Sequence, residues 1–588
     1  MARTQWGSWS FDLRDDEIAD LAWDGAVVLR SVRAVVRDRN WSTGAVTIER
    51  VDAGPDALVL HLACTDLGAD IRGSVRIAAD GTALSVAFDA ESRTAFSTNR
   101  TGLVVLQPHR LAGTPLEVVH ADGSSERTAF PRDVSPHQPV LDIAGLRWID
   151  GALDVAVDFT GDTFEMEDQR NWTDASYKTY SRPLSLPFPY ELAAGERIAQ
   201  RVAVTVTPAA DSPGAPQGNA ADAAEIVLRS EGAFPQILLG AASAPDPAPS
   251  FTPIGDGVLV ELDLASPNWR AALARAAATG EPLDVRLILP KAEGAQWGVA
   301  VPGGITGASL ATVLEEAVDV LHALPVLRIA VFDPVTHVTE PSATTALRDA
   351  LSAQGLRLPV LEGARPHFTE LNREQTRILA AAEGVTFATT PLFHTHGDEQ
   401  LHESVAVQRV VAEQSVRIAG DRPVHIGPVT LRPRFNNVAT VAEPGPSSTD
   451  LREGYGAAFT GGADPRQRSD DLAAWTIASA AALAVPGVAS VTLFEQWGPR
   501  GVLSETGQAL PVASAVRALA SLTGGELLTG SSPDGLLWAI GSRVDAVTTV
   551  LVANLDTRAC AVSLRTPDTD GILLDVPGRS FLRVHPTG

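Results

Sequence analysis

Lysine is nearly missing from this sequence: in 588 residues only Lys178 and Lys291 occur. The cations are arginines, and they are outnumbered. The 46 Lys and Arg face 71 Asp and Glu, a net charge of −25. Nucleic-acid binding needs clustered Lys and Arg against phosphate, so a nucleic-acid partner is excluded. Docking on an anionic membrane is disfavoured for the same reason. Cysteine is as scarce, and Cys64 and Cys560 lie near opposite ends, which leaves no disulfide framework. Long apolar runs are absent too. The opening MARTQWGSWSFDLRDDE has no signal-like core, and no segment approaches the ~20 apolar residues needed to span a bilayer. These absences predict a cytoplasmic protein. Two missing motifs narrow the chemistry. The glycine-rich PGGITGAS lacks a P-loop lysine, and no serine sits in G-x-S-x-G, which disfavours a Ser-His-Asp mechanism.

What is present is ordinary folded-protein composition, 45% hydrophobic and 20% charged. The length implies two to four domains. Residues 1–208 read as short, alternating, β-branched runs such as ALVLHLAC, ALSVAFDA and RVAVTVTP, the pattern of a β-sandwich. A Pro/Gly/Ala-rich stretch, 209–224, reads as a linker. Over 225–510 eight apolar runs alternate, mostly, with helical segments. They are ILLGA, VLVELDL, VRLILP, RIAVFDP, PVLEGARPHFTELN, TFATTPLFHTHGD, VHIGPVTL and SVTLFEQWG. Eight such units predict a TIM-like (β/α)8 barrel. Residues 511–588 revert to strands and read as a small C-terminal β-sandwich.

A barrel of this type places its site at the C-terminal ends of the strands. Glu370 after the fifth run and Glu495 after the eighth are expected to face each other across the mouth. Two facing carboxylates suit acid/base cleavage at a sugar carbon; the alternative is ion pairing at the rim. His367 and Asn372 at the end of the fifth run, Asp333 at the end of the fourth and Arg434 after the seventh are candidates for substrate binding. His394 and His396, one residue apart on the sixth run, are expected to share a face. Sugar-hydroxyl bonding is preferred there over a metal, which needs a complete ligand set. Trp497 suits stacking on a sugar face or simply barrel packing. No metal and no cofactor are expected.

One segment, FEMEDQRNWTDASYKTYSRP (164–183), gathers scarce residues: the internal Met166, Lys178, Tyr177 and Tyr180. It is expected to reach over the barrel mouth, with Glu167 and Arg170 binding hydroxyls. A polar contact between domains is the other possibility. Together with VRDRNWSTG (36–44), HFTELNRE (367–374) and FEQWGPRG (494–501), this segment resembles the D-apionate lactonase family of sugar-acid catabolism, along the whole chain. The resemblance implies hydrolysis of D-apionolactone to D-apionate. It implies no residue-level mechanism, so Glu370 and Glu495 carry the acid/base roles on the reading above, with Arg434, Asn372 or a histidine stabilising the oxyanion. Two alternatives stand beside it. One is a retaining glycoside hydrolase with Glu370 as acid/base and Glu495 as nucleophile; the other is a non-catalytic carbohydrate-binding protein. The partner in each case is a small carbohydrate.

Overall fold

The structure is a computed structural model that describes residues 3–209, 224–292, 304–305, 307–378, 380–437, 445–455, 462–545 and 547–586. The predicted linker 209–224 lies outside these except for its two ends, as does part of PGGITGAS. The chain divides into two compact units. One holds 1–170 and 175–219; the other holds 171–174 and 220–588.

The first unit is antiparallel β throughout. Seventeen described strands join in one hydrogen-bonded sheet network. Ala83–Ser92 shows why the alternation was readable: buried and half-buried residues follow one another without a break, as a strand with one core face requires. The scarce residues of the 164–183 segment belong to this core. Phe164–Asp168 and Ser176–Ser181 are paired antiparallel strands, with Phe164 opposite Ser181 and Asp168 opposite Tyr177. Met166, Phe164 and Tyr177 lie in the main hydrophobic cluster. The expected loop is therefore mostly sheet, because aromatic and β-branched residues in its second half fit a buried strand.

The charges of Glu167 and Arg170 are met within this unit. Glu167 pairs with Lys178. Arg170 binds Asp168 through Nε (2.8 Å) and Nη2 (2.7 Å), and donates to the carbonyls of Pro131, Arg132 and Asp133. Its guanidinium also lies 4.6 Å from the Tyr177 ring centre. Arg170→Ala would take the guanidinium away from the buried Asp168 carboxylate. The expected result is a loss of about 3 kcal/mol in stability, with kcat/KM of the folded fraction unchanged. Unfolding curves and titrated active enzyme check it; a kinetic defect without a stability loss would restore Arg170 to substrate binding.

The second unit holds the barrel. Its strands are β1 (Gln236–Gly240), β2 (Val258–Asp263), β3 (Leu283–Ile288), β4 (Val326–Phe332), β5 (Val360–Gly363), β6 (Gly384–Thr389), β7 (Val424–Val429) and β8 (Val488–Trp497). All neighbours are parallel, and β1 closes on β8 with Ile237 opposite Val491. β3, β6 and β7 are buried at every position, as strands covered on both faces are. Seven helices follow β2 to β8: α1 (Trp269–Ala277), α2 (Ala308–Asp319), α3 (Pro341–Ala353), α4 (Phe368–Glu374), α5 (Asp398–Ala419), α6 (Asp471–Leu483) and α7 (Val512–Ala520). Among the described residues none joins β1 to β2, and none is long and apolar enough to cross a membrane. α6 is apolar on all sides because it is covered on all sides. It packs on α5, on α7 and on the C-terminal strands Leu537–Val544 and Val547–Asn554.

The C-terminal strands form a three-stranded and a five-stranded sheet over a shared core of Leu528, Ala539, Val552, Val562 and Leu564. Two strands that precede the barrel join them. Ala224–Val227 runs parallel to Cys560–Thr566, and Arg229–Ala233 pairs with Glu526–Ser531. Barrel elements thus run from β1 at 236 to α7 at 520. The predicted boundaries, 225 and 510, missed this because a strand's partner is not written in its own pattern.

Candidate active site

Gly363 ends β5. Its φ of +144° and a site where a Cβ would meet the Thr386 carbonyl at 2.0 Å both require glycine. Pro366 then prevents the strand from resuming, and the buried Phe368 and Leu371 set a helical spacing instead. Glu370 therefore lies in the first turn of α4, not directly at a strand end as expected. Asn372, two residues on, points to another side of the helix. It is buried, donates to Asn171 Oδ1 (3.0 Å) and accepts from Gln414 Nε2 (3.1 Å).

The Glu370 carboxyl is strongly perturbed. Oε1 accepts from Asn437 Nδ2 at 2.7 Å. Oε2 is buried without a hydrogen-bond partner. Burial raises its pKa to about 7, against smaller lowering contributions from Arg373, the backbone of Glu370 and His367, and Asn437. A helix-capping glutamate would explain contacts to the first-turn backbone, but not an orphaned second oxygen.

Glu495 sits near the end of β8 and is also buried. Oε1 accepts from Arg500 Nε (2.9 Å) and Nη2 (2.7 Å). Oε2 accepts from Ser243 N (3.1 Å), and Ser243 Oγ reaches both oxygens. Arg500 Nη2 donates in turn to Ser243 Oγ at 2.6 Å. The carboxylate is fixed in place, with its Arg500 contacts gathered on one oxygen.

A cationic group adds to this end of the barrel, within electrostatic reach of Arg500 and His367. Arg434 is ion-paired with Glu261 of β2 and donates to the Arg365 carbonyl (3.0 Å). Arg365 reaches the same carboxylate at 3.4 Å. Burial works to raise the Glu261 pKa, but Arg434 and Arg365 outweigh it and hold it at about 2. The two guanidiniums flank Phe435, at 5.6 and 4.1 Å from its ring centre. His337, after β4, packs on the same ring at 5.2 Å and hydrogen-bonds the Asn437 backbone. Burial first, then Arg365, lowers its pKa to about 3, so the ring is neutral.

The remaining predicted residues have other partners. Asp333 accepts from the N–H groups of Gly304, Val335 and Thr336 at 2.7–2.8 Å, which fixes the turn after β4. Trp497 is buried, with the Arg275 guanidinium 5.2 Å from its ring centre, and both line a cavity with Gln496. His394 and His396 do not share a strand face. Pro391 ends the strand pattern, and both histidines lie in the irregular stretch before α5. His394 Nδ1 meets Asp174 Oδ2 at 2.6 Å, while His396 is exposed and its carbonyl accepts from Arg466 Nη2. Among the described residues no group of His, Cys, Asp and Glu has the arrangement to hold a metal.

The 164–183 segment contributes through its centre alone. Asn171–Asp174 is grouped with the barrel. Thr369 Oγ1 donates to the Asn171 carbonyl at 2.9 Å. Trp172 stacks on Phe393 (4.4 Å, 26°) and meets His367 edge-on. His367 is buried there, its pKa lowered to about 3 by burial, then by Arg434. Contacts thus fall at the ends of β5 and β6.

Glu261, Ser243, His337, Arg365, Asn437 and Arg500 carried no role in the sequence reading. Two left a signal. Glu261 interrupts the apolar VLVELDL, and Arg365 lies in EGARPHF beside residues that were chosen. Ser243 and His337 left none, since isolated Ser and His after a strand are common in loops.

The sequence models of two domains match the chain. The D-apionate lactonase N-terminal domain covers residues 1–209, and the D-apionate lactonase TIM barrel domain covers residues 255–524. A D-apionate lactonase of Brucella anthropi is 28% identical over 90% of this chain and 89% of its own. Among solved structures, a beta-arabinopyranosidase aligns over 98% of this chain and 97% of its own at 11% identity, with a TM-score of 0.29. A GH30 endoxylanase from Clostridium papyrosolvens aligns over 61% and 98% at 9% identity, with a TM-score of 0.37. Both scores are too low to bear on function. The two domain matches and the near full-length relative agree with one another, and the chain belongs to the D-apionate lactonase family.

Proposed function

We propose that this protein is a hydrolase that opens a sugar lactone, D-apionolactone, to its sugar acid. Glu370 acts as general acid, and Glu495 as the carboxylate that activates water. The observation that carries the reading is the Glu370 carboxyl, buried, raised to about 7 and with Oε2 unpartnered. Lactone opening needs both a base and an acid. Water loses a proton to Glu495 as its oxygen bonds to the carbonyl carbon. The ring C–O bond then breaks, and the ring oxygen takes the proton of Glu370. Two carboxyls held in different surroundings suit these opposite tasks. Arg434, fixed by Glu261, and Arg500, fixed by Glu495, supply positive charge for the oxyanion. On the same reading the two C-terminal sheets are a small β-sandwich, and the enzyme is cytoplasmic.

The test is a substrate panel: D-apionolactone and other aldonolactones, followed by acid release, beside aryl glycosides, followed by phenol release. Lactone opening is expected, with kcat falling as pH rises through about 7 because the acid form of Glu370 is lost. Phenol release without lactone opening would replace this reading by that of a retaining glycosidase.

A further inference from the structure

Three buried polar atoms around Glu370 have no hydrogen-bond partner among the described residues: Glu370 Oε2, Asn437 Oδ1 and His337 Nδ1. Leaving such an atom unsatisfied costs about 1–3 kcal/mol, so three in one place call for an explanation. They are connected. Asn437 Nδ2 donates to Glu370 Oε1 at 2.7 Å, and the Asn437 backbone takes the hydrogen bond of the His337 ring. Since Nδ1 is the orphan, that ring bond is made by Nε2–H, and a neutral imidazole then has a bare lone pair on Nδ1. Asn437 has committed its NH2 to Glu370, so its orphaned oxygen is also a pure acceptor. The site therefore presents two acceptors, from His337 and Asn437, beside one donor, the protonated carboxyl of Glu370. The backbone supports this purpose. His337 is held at φ +61°, a conformation uncommon outside glycine.

We propose that His337 and Asn437 are the specificity-determining residues of the lactone site: His337 Nδ1 and Asn437 Oδ1 accept hydrogen bonds from two hydroxyls of one small polyol lactone whose ring oxygen meets Glu370. This deepens the lactonase reading and rests on it. A lactone without those hydroxyls leaves both acceptors buried and unpaired. Sites built to bond a hydroxyl reject analogues lacking it by roughly 10⁴-fold or more.

The experiment compares kcat/KM for a hydroxylated aldonolactone and for its deoxy analogues, one hydroxyl removed at a time, in the wild type and in His337→Asn. Asparagine tolerates the same backbone conformation but is too short to place an acceptor where Nδ1 lies. The wild type is expected to discriminate against at least one deoxy analogue by 10²-fold or more. His337→Asn is expected to lose at least 10-fold of that discrimination, through KM and kcat on the hydroxylated substrate, with the matching deoxy analogue little affected. Asn437→Ser also removes the donor to Glu370, so it should lower both substrates and move the pH profile. Equal losses on both substrates for His337→Asn, or a wild type indifferent to the hydroxyls, would overturn the proposal while leaving lactone hydrolysis intact. A wild type that opens no lactone at all would instead remove the reading beneath it. Calorimetric binding of hydroxylated and deoxy aldonates would then decide whether the two acceptors recognise hydroxyls; equal affinities would overturn that as well.

Discussion

Glu370→Gln is expected to lower kcat on a sugar lactone by about 10²–10⁴-fold, and at the same time to stabilise the protein at alkaline pH. The two effects come from one fact. Burial raises the carboxyl from 4.5 to about 7, so the folded protein holds this proton where the unfolded chain has released it. Stability from the group is fully present below about pH 4.5 and is lost as pH rises through about 7. Above that the native state contains a buried charge costing at most about 3 kcal/mol. Glutamine keeps the shape and cannot ionise, so the wild type and the variant should have equal stability near pH 4 and diverge between pH 5 and 8, the variant being the more stable. A residue that lowers stability and raises rate is what an active-site acid is expected to be. Thermal melts across pH, paired with kcat, check both halves. An aryl lactone adds a third readout, because its phenolate leaves without protonation and the loss should shrink. Full activity in Glu370→Gln, or equal losses on alkyl and aryl lactones, would remove it as the acid.

All eight barrel strands could be read from the sequence because each is a short apolar run, those after β1 with helical spacing behind them, and burial on both faces makes such runs continuous. The side chains at the strand ends were less legible. The sequence reading took Glu370 for a strand-end residue since only ARP separates HFTELN from PVLEG; the break depends on Gly363 and Pro366, and the helix is only seven residues long. His394 and His396 have strand-like spacing but stand beyond Pro391. Contacts between distant segments were not legible at all. Nothing in FEQWGPRG says that Glu495 is held by Ser243, 252 residues earlier. Nothing in VLVELDL says that Glu261 holds Arg434, 173 residues later. The same limit explains the 164–183 segment. Its unusual composition was visible, but sheet core, home-paired charges and the short Asn171–Asp174 stretch look alike until their partners are known.

Asp284→Ala should be the most destabilising single change in the barrel, and should leave the kinetics of the folded enzyme within about two-fold. Asp284 is the second residue of β3, at the end of the barrel opposite the candidate site. It accepts from Arg286 Nε (3.2 Å) and Nη2 (3.3 Å) and from Arg328 Nε (2.7 Å). Arg286 Nη1 also donates to the Gly427 carbonyl (2.9 Å), and Arg328 Nη2 to Ser490 Oγ (3.0 Å). All three charged side chains are buried. One carboxylate thus serves two guanidiniums, and removing it strands both. A single stranded charge costs about 3–5 kcal/mol, and two place Asp284→Ala at the upper end of that range or beyond. Asp284→Asn keeps an acceptor for one guanidinium and should lose less. The pH dependence has a definite sign. Burial works to raise the Asp284 pKa, but Arg286 and Arg328 outweigh it and leave it well below 3.8. Its contribution is then present above the unfolded value and lost as pH falls below about 4, so the gap between wild type and Asp284→Ala should narrow in acid. Chemistry at the strands' C-terminal ends and stability at their N-terminal ends is the division expected of this barrel. A loss under 1 kcal/mol would mean that water reaches the cluster, and a kcat collapse at unchanged stability would mean that the division does not hold in this chain.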